Sequence, residues 1–497
     1  MSQEGNITWE FLKNIADTLN SYRIRALVDA KQEILDAGIY SEEDYENILF
    51  KMFDKEQQKT SLLDFLKGNS ISDFGKLKNF SQENSIDMYI TLSLLELLEK
   101  EKLITKEIIN DTIKGDEDTP DRFVFDDMLI KVGDIENANL KSIYEPVKVI
   151  FDSEICSGCG ICAGICPVNC LELQNGIGKF DEDKCIRCGL CYYVCPRSYL
   201  SVMVLNMAQD NASDIKEYSK VGHYIEAYSA RTKVKEISEI CQDGGISSTC
   251  LHYLLDKNMV DFAIGAKMSE KLWQPEPIVL KKKEDILLTA GTKYVNNPNL
   301  QVLNQKELKN SKLAIVGVPC QMQALLKSKI YDIGFPSLSN IDYRIGIFCM
   351  ESFTFDSLLK ICEVLKVDAN DVKKMDINKG KFFVYTNKGD EFTVPIKEIS
   401  HLGREDCEVC FDLTSESADI SVGSIGSPSG WNTVLIRTEK GKKLYEDLIN
   451  NDLIESKELK DVKPGLPLLE RIAGIKKNGS KKHISAKLDK SKRVPSY

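Results

Sequence analysis

Cys156-Ser-Gly-Cys159-Gly-Ile-Cys162-Ala-Gly-Ile-Cys166-Pro167 is followed, 29 positions on, by Cys185-Ile-Arg-Cys188-Gly-Leu-Cys191-Tyr-Tyr-Val-Cys195-Pro196. This is the bacterial ligand run C-x2-C-x2-C-x3-C-P, written twice. Three closely spaced thiolates wrap one face of a [4Fe–4S] cube, and the fourth, before the proline, reaches the other cube. The pattern therefore assigns Cys156, Cys159, Cys162 and Cys195 to one cluster and Cys185, Cys188, Cys191 and Cys166 to the second. Zinc sites use paired C-x2-C ligands rather than a duplicated three-plus-one run. Disulfides belong to secreted chains, and Met1-Ser-Gln-Glu-Gly-Asn has no signal-peptide character. A cluster pair moves single electrons and makes no bonds, so the block reads as an electron relay with donor and acceptor open.

Working outward, Leu171-Glu-Leu173, a turn at Asn175-Gly176 and Lys179-Phe180 predict the short hairpin such a ferredoxin-like α+β module needs. Val147, Val149 and Phe151 alternate as an entering strand. Cys170 is surplus to the pattern and reads as a small buried residue. The module spans about residues 146–200 of 497, so the size of ordinary domains leaves room for two or three more.

An apolar fraction of 42% lets real cores form. No stretch approaches the roughly 18 apolar residues of a membrane span; Tyr89–Leu98 is too short and carries Glu96. The expectation is a cytoplasmic protein, compatible with a peripheral place on a membrane complex. A net charge of −11 argues against nucleic-acid binding. The exception is 471–497, a basic tail with nine basic residues against Asp489 between Arg471 and Arg493. It reads as a solvated terminus or as a contact for an acidic partner subunit. Sixteen cysteines without secretory features fit a reducing, anaerobic cytoplasm.

Residues 1–140 contain no cysteine and read as an α-helical docking or scaffold domain. Apolar spacing predicts helices over Trp9–Leu19, Ile24–Ala37, Tyr45–Phe53, Ile86–Leu98 and Thr105–Ile113. Ser41-Glu-Glu-Asp44 is a capping box for the third, and Ile86–Leu98, apolar on nearly every face, is the buried centre. Residues 215–470 alternate strand-like and helix-like runs, which predicts an α/β domain. Its strand candidates are Val260–Gly265, Leu313–Val318, Tyr343–Phe348, Phe382–Thr386, Ile420–Val422 and Thr433–Arg437.

Two further constellations lie in this third region. Gly-rich joints occur at Gln242-Asp243-Gly244-Gly245, Gly291-Thr292-Lys293-Tyr294 and Gly423-Ser424-Ile-Gly426-Ser-Pro-Ser-Gly430-Trp431. Glycine between strand and helix lets backbone N–H groups approach a phosphate, yet each joint alone is also a plain turn. No G-x-G-x-x-G opens a βαβ unit, so a Rossmann site is not supported. Cys320 and Cys349 close strands, and Cys407-Glu-Val-Cys410 lies in a loop. By spacing alone these four read either as one more [4Fe–4S] site or as ordinary buried thiols. Cys241, Cys250 and Cys362 sit in helix-like surroundings and read as structural. His223, His252, His401 and His483 are scattered outside any metal or triad pattern.

At these residues the chain resembles the family of coenzyme F420 hydrogenase/dehydrogenase β subunits. The matching segments are Gln242-Asp-Gly-Gly245, Gly291-Thr-Lys-Tyr294, Gly317-Val-Pro-Cys-Gln321, Ile345-Gly-Ile-Phe-Cys349, Asp376-Ile-Asn-Lys-Gly-Lys381, Cys407-Glu-Val-Cys410 and Ala418-Asp-Ile-Ser-Val-Gly-Ser-Ile-Gly426, in family order over roughly 150–470. The resemblance implies that FAD is bound by Gln242, Asp243, Gly244, Gly245, Thr292, Lys293, Tyr294, Asp419, Ser421, Gly423, Ser424, Gly426 and Trp431. It implies equally that Cys320, Cys349, Cys407 and Cys410 hold a third [4Fe–4S] cluster. Lys293 in particular reads as a cation for the flavin or as a solvated loop lysine. No side chain is expected to act as a covalent catalyst.

The implied reaction is hydride transfer between coenzyme F420 and FAD, with single electrons passing through the clusters to a partner in either direction. A ferredoxin module ahead of this domain resembles the input subunit of F420H2 dehydrogenase complexes, from which the helical region before residue 140 departs. The partner could be a heterodisulfide reductase, a membrane quinone or phenazine oxidoreductase, or a free ferredoxin. The alternatives are a same-family flavin reductase acting on another substrate and a non-catalytic relay or scaffold.

Overall fold

The computed structural model describes residues 21–69, 74–108, 128–132, 147–174, 176–199, 202–210, 219–270, 273–490 and 492–495. The helix expected over Trp9–Leu19 lies outside them. Helices follow at Tyr22–Asp29, Lys31–Asp36, Glu42–Gly68, Phe74–Glu83 and Met88–Lys100. The capping box forms: Asp44 N–H donates to Ser41 Oγ at 3.2 Å and Ser41 N–H to Asp44 Oδ2 at 2.9 Å. Glu42, Glu43 and Asp44 add negative charge where the helix dipole favours it. Met88–Lys100 is buried on most faces, as its composition requires.

Several local expectations are overturned; Ile24–Ala37, expected as one helix, is broken at Ala30 into Tyr22–Asp29 and Lys31–Asp36. Spacing predicts a helix over Thr105–Ile113, but Ile104–Ile108 is a strand (β1) paired antiparallel with Met128–Val132 (β2), Ile104 opposite Val132. Ile104, Thr105 and Ile108 are β-branched and fit a strand once a distant partner exists. Alternation predicts a strand over Val147–Phe151, but Lys148–Asp152 is one helical turn. Val147 and Phe151, four apart, share one side of this turn, and Phe151 packs its ring over Gly178, where a Cβ would meet it at 2.2 Å.

The predicted hairpin forms from Leu171–Gln174 (β3) and Ile177–Phe180 (β4), with Gly176 at positive φ. The third region is built on one mixed sheet. Its strands are Glu226–Thr232 (β5), Phe262–Met268 (β6), Pro275–Leu280 (β7), Leu313–Gly317 (β8) and Ile341–Ile347 (β9), then Ile420–Gly423 (β13), Asn432–Ile436 (β14) and Ile454–Glu458 (β15). A meander of Val372–Asn378 (β10), Lys381–Thr386 (β11) and Glu391–Pro395 (β12) stands apart from it. The sheet order is β15-β5-β14-β13-β9-β8-β6-β7. The inner neighbours β13, β9, β8 and β6 run parallel, so their C-terminal ends share one sheet edge. Ligand sites of open α/β sheets form at such an edge.

The 471 boundary of the basic tail falls inside one helix, Gly465–Asp489, which buries Leu469, Ala473, Lys476 and Ser480 and leaves most of 481–490 exposed. Nor do the N-terminal helices stand alone. Leu49, Leu66 and Leu98 share a continuous core with Ile161, Tyr193, Leu300 and Leu325, which joins the helices, the ferredoxin module and one face of the α/β domain.

Candidate functional site: three cysteine sets

The two ferredoxin runs repeat in backbone as well as in residue type. Gly158 and Gly160 in the first run, and Arg187 and Gly189 at the matching places in the second, all have positive φ. The left-handed turns bring amides onto sulfur. Gly158 N–H donates to Cys156 Sγ at 3.5 Å, Arg187 N–H to Cys185 Sγ at 3.4 Å and Arg197 N–H to Cys195 Sγ at 3.4 Å. Amides aimed at sulfur favour the thiolate, which is the ligating form.

Chain tracing brings the sulfurs together in crossed fashion. Burial, and then Cys195 and Cys159 among neighbours, push the Cys156 thiol up to about 12. Burial raises Cys188, with Cys166 and Cys185 adding to it. Cys195 from the second run thus stands with the first set, and Cys166 from the first run stands with the second. A cavity opens among Cys166, Cys185, Cys188 and Cys191, with Cys170 on its wall. Cys170 is buried as expected, but its sulfur lies 3.4 Å from Cys166 Sγ.

The dispersed cysteines converge on the parallel edge of the sheet. Cys320 follows β8 in the first turn of helix Pro319–Ile330, and Cys349 follows β9, the adjacent strand. The loop with Cys407 and Cys410 closes over them. Burial holds Cys349 up at about 11, and Cys410 pushes the same way. Burial also raises Cys320, with Cys159, Cys410 and Cys349 reinforcing it. Cys320 therefore lies within electrostatic reach of Cys349 and Cys410 and of Cys159 in the first ferredoxin run. Among the described residues no three His, Cys, Asp or Glu side chains crowd closely enough to share a single metal ion.

Three cations that the cysteine pattern does not reveal hold backbone carbonyls of the cysteine segments. Arg404 donates from Nε to Asp406 Oδ1 at 2.8 Å and from Nη2 to the Cys156 carbonyl at 2.9 Å. Lys327, fully buried on the helix that Cys320 opens, donates to Cys195 O, Ser198 Oγ and Tyr199 O, each at 2.7 Å. Lys476 donates to the Cys349 carbonyl at 2.6 Å. Sequence offered one hint for each: a basic residue near a cysteine run, or a basic residue in a helical register. Backbone packing is equally close. Leu300 N–H donates to Cys159 O at 3.2 Å, and a Cβ on Gly164 would stand 2.1 Å from Leu300 O.

The residues expected at the flavin divide into two groups. Gln242, Asp243 and Tyr294 gather beside the β10–β11 meander: burial and then Asp376 raise both Asp243 and Tyr294, and Asp243 adds to the latter. Thr292 and Ser424 are exposed, and Trp431 lies between Arg231 and Lys457, 4.7 and 4.5 Å from its ring centre. The other polar side chains are engaged within the fold. Asp419 accepts from Arg344 and Thr438, while Ser421 accepts from Arg437 and donates to Ser415 O. Lys293, neither solvated nor free, donates to the carbonyls of Thr289, Ala290 and Gly291 at 2.6, 2.7 and 3.0 Å. Of the glycines, Gly244 abuts Asn432 N, Gly423 abuts Phe348, and Gly245 and Gly426 take positive φ.

A dicluster module docked on the parallel edge of a mixed α/β sheet defines an iron–sulfur redox protein. Residues 148–199 match the family model of a 4Fe-4S dicluster domain. Residues 227–304 and 310–462 match the models for the N-terminal and C-terminal parts of the coenzyme F420 hydrogenase/dehydrogenase beta subunit. The beta subunit of the coenzyme F420 hydrogenase of Methanothermobacter thermautotrophicus is 39% identical over 271 residues, 54% of this chain and 96% of that protein. A subunit of the F(420)H(2) dehydrogenase of Methanosarcina mazei is 33% identical over 347 residues, 67% of this chain and 93% of that one. A chain from the F420-reducing [NiFe] hydrogenase complex of Methanosarcina barkeri superposes with TM-score 0.53 at 38% identity, covering 55% of this chain and 95% of its own. The chain belongs to the family of coenzyme F420 hydrogenase/dehydrogenase β subunits. The N-terminal helices and the helix Gly465–Asp489 lie outside the matched segments.

Proposed function

We propose that this chain is the F420-linked electron-transfer subunit of a larger redox complex, exchanging a hydride with coenzyme F420 and single electrons with a partner. The observation that carries this reading is that Cys320 and Cys349 follow the ends of two adjacent parallel strands, with Cys159 of the ferredoxin module close enough to act on Cys320. Cys320, Cys349, Cys407 and Cys410 would hold one [4Fe–4S] cluster, the two crossed ferredoxin sets one each, and the Gln242-Asp-Gly-Gly245 joint with Tyr294 would hold FAD. A flavin takes up two electrons together and releases them singly, which is what lies between a deazaflavin hydride and an iron–sulfur relay.

The protein's own task is to position and to dry. Gly244 lets the loop run against Asn432 N, and Gly245 opens helix Ile246–Asp256 in a left-handed conformation that non-glycine residues resist. Lys374 on the exposed side of β10 lies close enough to act on Asp243, which places a cation at the rim. An anionic deazaflavin tail is drawn to such a rim despite the acidic chain. Among the described residues no helix is long and apolar enough to cross a membrane.

The deciding assay follows reduced F420 anaerobically with a one-electron dye as acceptor, beside NADH and NADPH. Bleaching of the deazaflavin that requires the protein is the expected result. Turnover with a nicotinamide and none with F420 would overturn the proposal.

A further inference from the structure

The C-terminal helix Gly465–Asp489 carries the basic residues that sequence placed in a tail, and their acidic counterparts belong to the same chain. Lys477 pairs with Glu416 at 2.8 Å and sits over the Phe411 ring. His483 lies 3.3 Å from Glu408, and Leu469 and Ala473 seat the helix on Leu413. This row brings Lys476 inward. Its ammonium, only 7% exposed, donates to the carbonyl of Cys349, and its field acts on Cys349, Cys407 and Cys410. Of the carboxylates near these cysteines, Asp406 is paired with Arg404, and Asp412, which also acts on Lys476, accepts from Gln323 Nε2 and the Glu416 N–H.

We propose that Lys476 is a positioning residue that sets the reduction potential of the cluster on Cys320, Cys349, Cys407 and Cys410; this rests on the reading that these cysteines hold one. Reduction adds one electron, and no proton or bond change, to a centre already negative through its four thiolates. A buried, fixed cation beside it stabilises the reduced form more than the oxidised form, so it raises the potential. The donated hydrogen bond to Cys349 O also holds the ligand loop.

The test is potentiometric titration of the full chain followed by electron paramagnetic resonance, with iron content measured alongside. Lys476→Met should keep its iron but make the third signal at least tenfold harder to reduce, about 59 mV lower for a one-electron couple. Lys476→Arg should recover most of that shift, and the two ferredoxin signals should stay in place. If Lys476→Met sheds the cluster, Lys476→Gln, which retains a donor without the charge, must show the same fall. An unshifted third signal in a variant with full iron overturns the proposal, as does an equal fall in the Arg and Met variants. About eight iron atoms in the unmutated chain, at four per cube, would instead sink the third-cluster reading and the proposal with it.

Discussion

Arg404 holds Asp406 through Nε at 2.8 Å and the Cys156 carbonyl through Nη2 at 2.9 Å, so one side chain spans the loops of two cysteine sets. Arginine's planar fork makes the two contacts geometrically compatible, which the single ammonium of lysine does not. The contact fixes the loop carrying Cys407 against the first ferredoxin run.

Arg404→Leu should leave Asp406 buried without its partner, a loss of roughly 3–5 kcal/mol. The expected outcome is a lower thermal transition and faster loss of iron in air. Arg404→Leu combined with Asp406→Asn should recover part of the thermal stability, because the near-isosteric amide leaves no buried charge without a counter-charge. Equal melting of the wild type and the single variant would refute the pairing.

Iron analysis of anaerobically prepared protein should give about 12 atoms per chain, at four per cube. Cys407→Ser with Cys410→Ser should remove about four of them and leave the ferredoxin signals intact. Retention of all the iron by the double variant would exclude these two cysteines as ligands.

Glu56 predicts an acid-labile joint between the N-terminal helices and the ferredoxin module. Burial alone would raise its carboxyl, but Lys59, Arg23 and the Tyr193 hydroxyl outweigh it and bring it from 4.5 down to about 2. With the folded value depressed, the contribution is complete above about 4.5 and is lost as pH falls from there toward about 2. The urea midpoint of the wild type should therefore drop through that window, while Glu56→Gln, weaker near neutrality, should show a flatter profile. Parallel profiles would contradict the assignment.

Lys374 stands on the exposed side of the meander and acts on both Asp243 and Cys241. Lys374→Glu should raise the apparent KM for the deazaflavin several-fold with kcat little changed, and salt should raise KM less than it does in the wild type. A fall in kcat at unchanged KM would place this lysine in the chemistry rather than at the entrance.

The cysteine runs are legible because ligand spacing is local: each C-x2-C-x2-C loop folds within a few residues, and Gly160 and Gly189 supply the turns. Strand candidates such as Leu313–Val318 and Ile420–Val422 are legible for the same reason, as short β-branched runs between turns. The capping box at Ser41 depends on four consecutive residues and forms as its spacing predicts. Periodicity fails at Thr105–Ile113 and Val147–Phe151, where the deciding partner lies elsewhere in the chain. It also ends the third helix near Phe53 instead of Gly68, because buried Lys55 and Glu56 look solvated until their ion partners are known.

Sequence by itself thus determined the ligand chemistry of the ferredoxin module, the α/β character of the third region and the family to which it belongs. Tertiary structure alone decided that β8 and β9 lie side by side, delivering Cys320 and Cys349 to one sheet edge beside Cys159. It also decided that Lys327, Arg404 and Lys476 turn inward to the cysteine loops, and that the N-terminal helices share a core with the module they cover. The physical reason is that a charge's partner and a strand's neighbour are properties of long-range packing. Residue spacing along a chain encodes only what a local turn of backbone can complete.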